Sequence, residues 1–239
     1  MNAGPDRLTV DQRKALHSTG YVERFCKEQS SWRLERLLPL MEFPREAVVA
    51  DFACGNGMML DLVAKKVSRY CGVDFSEDFI AEAERRISAL GVSNAEFFCE
   101  SIQSFCRKNP SRFDAAFAMD ISEHVYDDEW SEILGQIRES LKPGGFLYLH
   151  TPNLDFFLEL LKDRNLIVRQ FPEHIAVRNM KQNIKIIRDS GFNISRKDFI
   201  PHYNILRFLH PLSNLPAFGR YFRARLFIVA QRPPQQAAC

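Results

Sequence analysis

A chain of 239 residues with 46% hydrophobic residues is long enough to bury a full core in one large domain. Its opening residues, MNAGPDRLTV, lack a basic start followed by an apolar core, and no run reaches the roughly 18 apolar residues needed to cross a bilayer, so neither a leader nor a transmembrane helix is expected and the chain reads as cytoplasmic. The net charge of +2 conceals an asymmetry: after residue 180 stand Lys181, Lys185, Arg188, Arg196, Lys197, Arg207, Arg220, Arg223, Arg225 and Arg232 against only Asp189 and Asp198. Such a half fits an anionic partner, nucleic acid or a phospholipid surface, or else a plain solvated face. The cysteines Cys26, Cys54, Cys71, Cys99, Cys106 and Cys239 show no CxxC spacing, and several fall in apolar runs. That pattern fits reduced, buried thiols rather than a disulfide framework or a zinc site.

Residues 1–46 carry helical patterning around Trp32, Leu34, Leu37 and Leu38, stopped by Pro44, and read as an N-terminal helical cap. Apolar, β-branched or aromatic runs then occur at 47–54, 70–74, 95–99, 114–119 and 145–150, alternating with helical periodicity at 57–67, 77–90 and 127–141. This alternation predicts an α/β fold, a doubly wound, mostly parallel sheet with helices on both faces. Further strands near 193–200 and 224–230 bring the sheet to seven and close a main domain over 47–232. Within it, 152–222 contains a segment covering the substrate side, and 233–239 reads as a frayed tail.

The stretch VVADFACGNGMML ends an apolar run with Asp51 and leaves Gly55 and Gly57 bare. In open α/β sheets ligands sit beyond the carboxyl ends of the strands, where a tight turn precedes a helix. Leu60 stands where the dinucleotide fingerprint GxGxxG needs its third small residue, which argues against NAD or FAD. An acid ahead of the turn suits a ligand with an ammonium group better than a pyrophosphate. In order and spacing, VVADFACGNG, YCGVDFSEDFIAEAERR, FDAAFAMDISEHV and LKPGGFLYLHTPN resemble the motif set of the class I S-adenosylmethionine-dependent methyltransferases, strongly over 45–152 and loosely elsewhere. Ala53 departs from the glycine usual at its place in that pattern.

The resemblance implies a Rossmann-like methyltransferase fold, S-adenosyl-L-methionine as cofactor, and roles for particular residues. Asp51 would hold the amino-acid end of the cofactor, with Ala53, Gly55 and Gly57 leaving room along the backbone. Asp74 lies 23 residues after Asp51, near the offset at which an acid grips ribose hydroxyls in related folds. Phe75 would pack on the adenine, and Glu100 and Ser101 would meet its amino group. In MDISEHV, Asp120, Glu123 and His124 end the fourth strand beside the reacting methyl, and His174 lies in the covering segment. D-x-x-E-H with a later His resembles the E-x-x-E-H pattern of ubiquinone-pathway O-methyltransferases and of small-RNA 3′-terminal 2′-O-methyltransferases. That resemblance implies a divalent cation, Mg²⁺ or another, held by Asp120, Glu123, His124 and His174, with Asp120 one methylene shorter than the usual Glu. Without the metal, Glu123, His124 and His174 remain candidates for proton transfer, and His150, His202 and Tyr203 are secondary pocket liners.

The expectation is methyl transfer to an oxygen of a small aromatic or lipophilic molecule. A 2′-O-methyltransferase of RNA ends and a cofactor-binding module without turnover stay open as alternatives. The basic half favours nucleic acid, but no RNA-binding module is evident, and a peripheral membrane contact through 205–226 is a further option. The sequence leaves the oligomeric state open.

Overall fold

Strands buried on both faces read as unbroken apolar runs, and the seven expected runs all form strands. The computed structural model describes residues 7–9, 12, 15, 16, 18–164 and 171–235; parts of the expected cap and cover, the end of the tail from 236, and Cys239 lie outside the described residues. The strands are β1 (Val48–Phe52), β2 (Arg69–Asp74), β3 (Ala95–Cys99), β4 (Phe113–Met119), β5 (Leu141–Pro152), β6 (Asn193–Ile200) and β7 (Arg225–Gln231). They form one sheet in the order β3-β2-β1-β4-β5-β7-β6. The first five pair in parallel, and β7 runs antiparallel to both β5 and β6. Strand order reverses between β1 and β4, which opens a crevice at their carboxyl ends.

Alternation along each strand splits the core into two layers. Ala50, Ala116, Ala118, Leu147 and Ile228 face one layer, whereas Val49, Ala115, Phe117, Tyr148 and Phe227 face the other. Among the described residues the helices are α1 (Thr19–Glu28), α2 (Met58–Val63), α3 (Glu77–Leu90), α4 (Ile102–Lys108), α5 (Asp127–Ser140), α6 (Phe157–Asp163) and α7 (Met180–Asp189), besides shorter turns. In α5, Trp130, Ile133, Leu134 and Ile137 recur at helical spacing and are buried. Ser76 caps α3 by accepting the Phe79 N–H, Glu77 and Asp78 complement its dipole, and Gly91 ends it in a left-handed conformation. The sequence pattern does not show α4, since seven residues are too few for a period to stand out.

The basic residues after 180 are partly absorbed: Lys185 pairs with Asp189, Arg196 with Asp198, and Arg225 is buried. The described cysteines are unpaired thiols. Among the described residues no helix is long and apolar enough to cross a membrane.

Close packing between β2 and β3 makes one position sharply testable. A Cβ at Gly72 would lie 2.3 Å from the Phe97 ring, which is itself held 5.8 Å from the Tyr70 ring. Gly72→Ala is expected to destabilise the chain by about 1–3 kcal/mol in urea unfolding, and adding Phe97→Leu to recover most of that loss.

Candidate active site

After β1 the chain must reverse into α2 within a few residues, and it does so with Ala53, Gly55 and Gly57 all at positive φ (55°, 52° and 75°). A Cβ at Gly57 would press 2.9 Å from Phe97 Cζ, so both its backbone angle and its packing require glycine. The Gly55 N–H donates to Asp74 Oδ2 at 3.0 Å, and the Ser76 N–H donates to Asp74 Oδ1 at 3.0 Å. Carboxylate oxygens accept more than one hydrogen bond, so these bonds orient Asp74 without exhausting it. The Tyr70 hydroxyl donates to Asp51. Burial pushes the Asp51 carboxyl up to about 7, with Asp74 adding to the rise and the Tyr70 bond opposing it.

Both acids open onto one cleft of about 1390 Å³, whose walls also include Ala53, Gly55, Phe75, Glu100 and Ser101. Phe75 is 42% exposed and borders that cleft. Glu100 is engaged by Lys108 at 2.6 Å, and Ser101 caps α4 by accepting the Ser104 N–H. Helix α1 lies across the turn: Tyr21 and Phe25 pack edge-on against Phe79, and the Thr19 hydroxyl donates to Asp78 at 2.8 Å.

Beyond β4, Asp120 stands at φ 56° and meets the guanidiniums of Arg33 and Arg225. His150 Nδ1 lies 3.2 Å from Asp120 Oδ1. Burial alone would raise the Asp120 carboxyl, but Arg225, Arg33 and His150 together hold it well below the usual range. Arg225 Nε donates to His150 Nε2 at 3.1 Å, which requires that nitrogen to be unprotonated. Burial and Arg225 lower His150 to about 4, in keeping with a neutral ring.

Glu123, His124 and His174 converge separately from Asp120: one ligand atom from each lies within 4.8 Å of the others. Of the four residues expected to share a cation, three are thus brought together, while Asp120 is taken by guanidiniums. Burial, then the charge of Asp120, raises Glu123 to about 8, and the Thr151 hydroxyl donates to it at 3.0 Å. His124 Nδ1 contacts the Glu173 carbonyl at 2.9 Å, and the His124 and His174 rings meet edge-on at 5.1 Å. His174 Nδ1 is buried without a partner among the described residues, and burial with His124 nearby lowers this imidazole to about 3. A neutral imidazole with an unused buried nitrogen has the chemistry of a metal ligand, as does a carboxyl that a cation would deprotonate. The His, Glu donor set therefore fits a divalent cation.

Sequence patterning missed Arg33, Arg225 and Arg178. Arg178, 3% exposed, donates to the carbonyls of Ser122 and Val125 and to Asp127, fixing the turn that presents Glu123 and His124. Arg225 left one visible signal, a charge opening the otherwise apolar ARLFIVA run; Arg33 left none. His202 and Tyr203 line the cleft, as expected of secondary liners, and His150 is buried beneath them beside Asp120.

Residues 49–145 match the family model described as a methyltransferase domain. The ubiquinone biosynthesis O-methyltransferase of Leptothrix cholodnii is 23% identical over 152 residues, covering 61% of this chain and 64% of that protein. The protein of the same name from Methylococcus capsulatus is 26% identical over 179 residues, covering 72% and 73% respectively. The chain thus spans less than two thirds of the Leptothrix relative it matches. Among solved structures, a chain of the complex between the Haloferax volcanii Trm112 methyltransferase activator and a methyltransferase superposes with TM-score 0.68 at 16% identity, covering 95% of this chain and 100% of that one. That likeness speaks for the fold.

The shifted acids give the free chain a pH signature. Glu123 and Asp51, raised to about 8 and about 7, keep protons in the folded chain that the unfolded chain has released, so stability falls as pH rises toward those values. His150 and His174, lowered to about 4 and about 3, act in the opposite sense only below the ordinary imidazole range. Between about pH 6.5 and pH 8.5 urea unfolding is expected to show a loss of about 2 kcal/mol, with Glu123→Gln removing most of it.

Proposed function

We propose, from the methyltransferase domain at residues 49–145, that the chain transfers a methyl group from S-adenosyl-L-methionine to an oxygen of a small aromatic or lipophilic acceptor. The observation that carries this reading is that two strand-end acids, a side-chain-free turn and a His, Glu cluster all face one cleft. That the similar proteins of Leptothrix cholodnii and Methylococcus capsulatus are named O-methyltransferases supports an oxygen acceptor. In this reading residues 1–46 cap the site, 47–232 form the catalytic domain, and 152–222 contribute the cover.

When bound, the cofactor supplies a methyl group on an already cationic sulfonium, so the protein's work is mainly alignment, with reacting atoms held about 3–3.5 Å apart. Asp51, ionised once an ammonium group enters, holds the amino-acid end. Asp74 accepts the ribose hydroxyls, Phe75 covers the adenine, and Gly55 and Gly57 admit the backbone close to the ligand. Glu100 and Ser101 border the adenine, and Asp120 borders the methyl group from the far side of β4. Glu123, His124 and His174 are the residues that would hold a divalent cation, which would stabilise the acceptor's oxyanion as a Lewis acid. His124 and His174 also stand where one of them could take the acceptor's proton.

Isothermal titration with S-adenosylhomocysteine tests the reading. Wild type is expected to bind, and Asp74→Ala to weaken binding about 100-fold, as the loss of two charge-assisted hydrogen bonds dictates. Absence of heat with wild type would refute cofactor binding. His174→Ala should leave this affinity unchanged while removing the stabilisation against heat conferred by added Mn²⁺ or Mg²⁺. Equal stabilisation of wild type and variant would place the cation elsewhere.

A further inference from the structure

Water drives large apolar side chains inward, so a group of them left outside calls for a partner. Of the eight large apolar side chains exposed among the described residues, four fall between β6 and β7: Ile205 (75%), Phe208 (69%), Leu215 (48%) and Phe218 (66%). Ile205–Asn214 winds in 3₁₀ turns, where side chains three apart share a face. Leu206, Leu209 and Leu212 form one row and are half-buried, whereas Ile205, Phe208 and Pro211 form the next and are exposed. The inner row accounts for folding; the outer row is apolar without a packing reason. The chain then turns through Leu215, Pro216, Ala217 and Phe218, all exposed, with Ala217 at φ 63°. This tip is held in place. The Gly219 N–H donates to the Leu215 carbonyl at 3.0 Å, a Cβ at buried Gly219 would lie 2.3 Å from the Ser213 carbonyl oxygen, and Arg223 donates to that same oxygen at 3.5 Å.

Charge follows the same segment. Residues 199–239 contain Arg207, Arg220, Arg223, Arg225 and Arg232 and no aspartate or glutamate. Arg225 is buried on Asp120, and Arg232 is held by the carbonyls of Arg138, Glu139 and Leu141, which leaves exposed Arg207 and Arg220 and half-buried Arg223 flanking the apolar stretch. From neighbouring elements Arg36 acts on His210 and Asp155 on Arg220, one of each sign, so the excess stands. The Arg207 guanidinium lies 5.0 Å from the Phe208 ring and that of Arg220 4.6 Å from the Tyr221 ring, so cation and ring are presented together. We propose that residues 204–223 seat the chain on an anionic phospholipid bilayer, with Ile205, Phe208, Leu215 and Phe218 entering the boundary between headgroups and acyl chains and Arg207 and Arg220 meeting the phosphates. Nucleic acid would use the rings and guanidiniums but leave Ile205, Leu215 and Pro216 without a counterpart; a fluid lipid surface takes all of them. Tyr203, Asn204 and Leu206 line the cleft, so this seat is continuous with its rim. That a lipophilic acceptor enters from the bilayer rests on the methyl-transfer reading; attachment itself does not.

The full chain is floated with vesicles of phosphatidylcholine alone and of phosphatidylcholine and phosphatidylglycerol in equal parts. Flotation is expected with the anionic vesicles, weakened by added salt, and far less with phosphatidylcholine. Phe208→Ser and Phe218→Ser are each expected to lower the partition coefficient about tenfold, and Arg207→Gln and Arg220→Gln each about fivefold. These four side chains are exposed and outside the cleft walls, so the variants keep the fold and the wild-type affinity for S-adenosylhomocysteine. Leu90→Ser, at the exposed end of α3, leaves vesicle binding unchanged. The indole introduced by Phe218→Trp is expected to shift its emission to the blue and to be quenched by brominated lipid beyond the background of Trp32 and Trp130. No flotation, equal flotation of wild type and Phe218→Ser, or flotation without quenching at position 218 overturns the proposal. RNA binding or dimer formation that Phe218→Ser abolishes, with vesicles left bare, overturns it as well and assigns the patch to that occupant. Flotation without any S-adenosylhomocysteine binding would uphold the lipid seat while refuting cofactor binding, and the reverse result would do the opposite.

Discussion

The hydrogen bond from the Gly55 N–H to Asp74 joins the turn after β1 to the end of β2, and the shape of the cleft depends on it. Three left-handed residues in five turn the chain sharply between β1 and α2, where Ala53, Cys54 and Gly55 border the cleft. The acid that the turn hydrogen-bonds is the one that also opens onto the cleft. Local backbone geometry and ligand site are therefore one object: whatever relaxes the turn also misaims Asp74. The strain of a left-handed Ala53 is tolerated here because the surrounding strands over-determine it.

The sheet divides its charges by position. On β1 and β2 two acids face the cleft with a tyrosine as partner, an arrangement suited to a cationic or hydroxyl-rich ligand. Past β4 the balance reverses, with two buried guanidiniums on Asp120 and the His124 and His174 imidazoles beside Glu123. A cleft with opposite ends orients a ligand pair before any close contact forms. Helix α1 and Arg33 belong to the N-terminal segment, so that segment completes the walls of both ends.

Much of this was legible in the residues because parallel strands buried on both faces announce themselves as apolar runs, and each run, from VVADF to RLFIV, became a strand. Asp51, Asp74 and the bare turn were legible for a related reason: an acid at the end of an apolar run, or two glycines one residue apart just after it, breaks a pattern that burial alone would continue. What escaped was long-range. Arg33 is 87 residues from the Asp120 it meets, and Arg178 holds a turn more than 50 residues away, so neither leaves a local pattern. The grouping of Glu123 with His124 and His174, apart from Asp120, likewise depends on where β5, β7 and the covering segment bring Thr151, Arg225 and Glu173. Spacing along the chain made all four acids and imidazoles equivalent; the tertiary fold does not.

Asp120 adopts φ 56°, a region in which short Asp and Asn side chains are several-fold enriched and longer ones are disfavoured. The substitution of aspartate for the glutamate of the E-x-x-E-H pattern is therefore a backbone choice before it is a chemical one. At this kink aspartate, asparagine and glycine are all accommodated, whereas a glutamate would press the strand end to unbend.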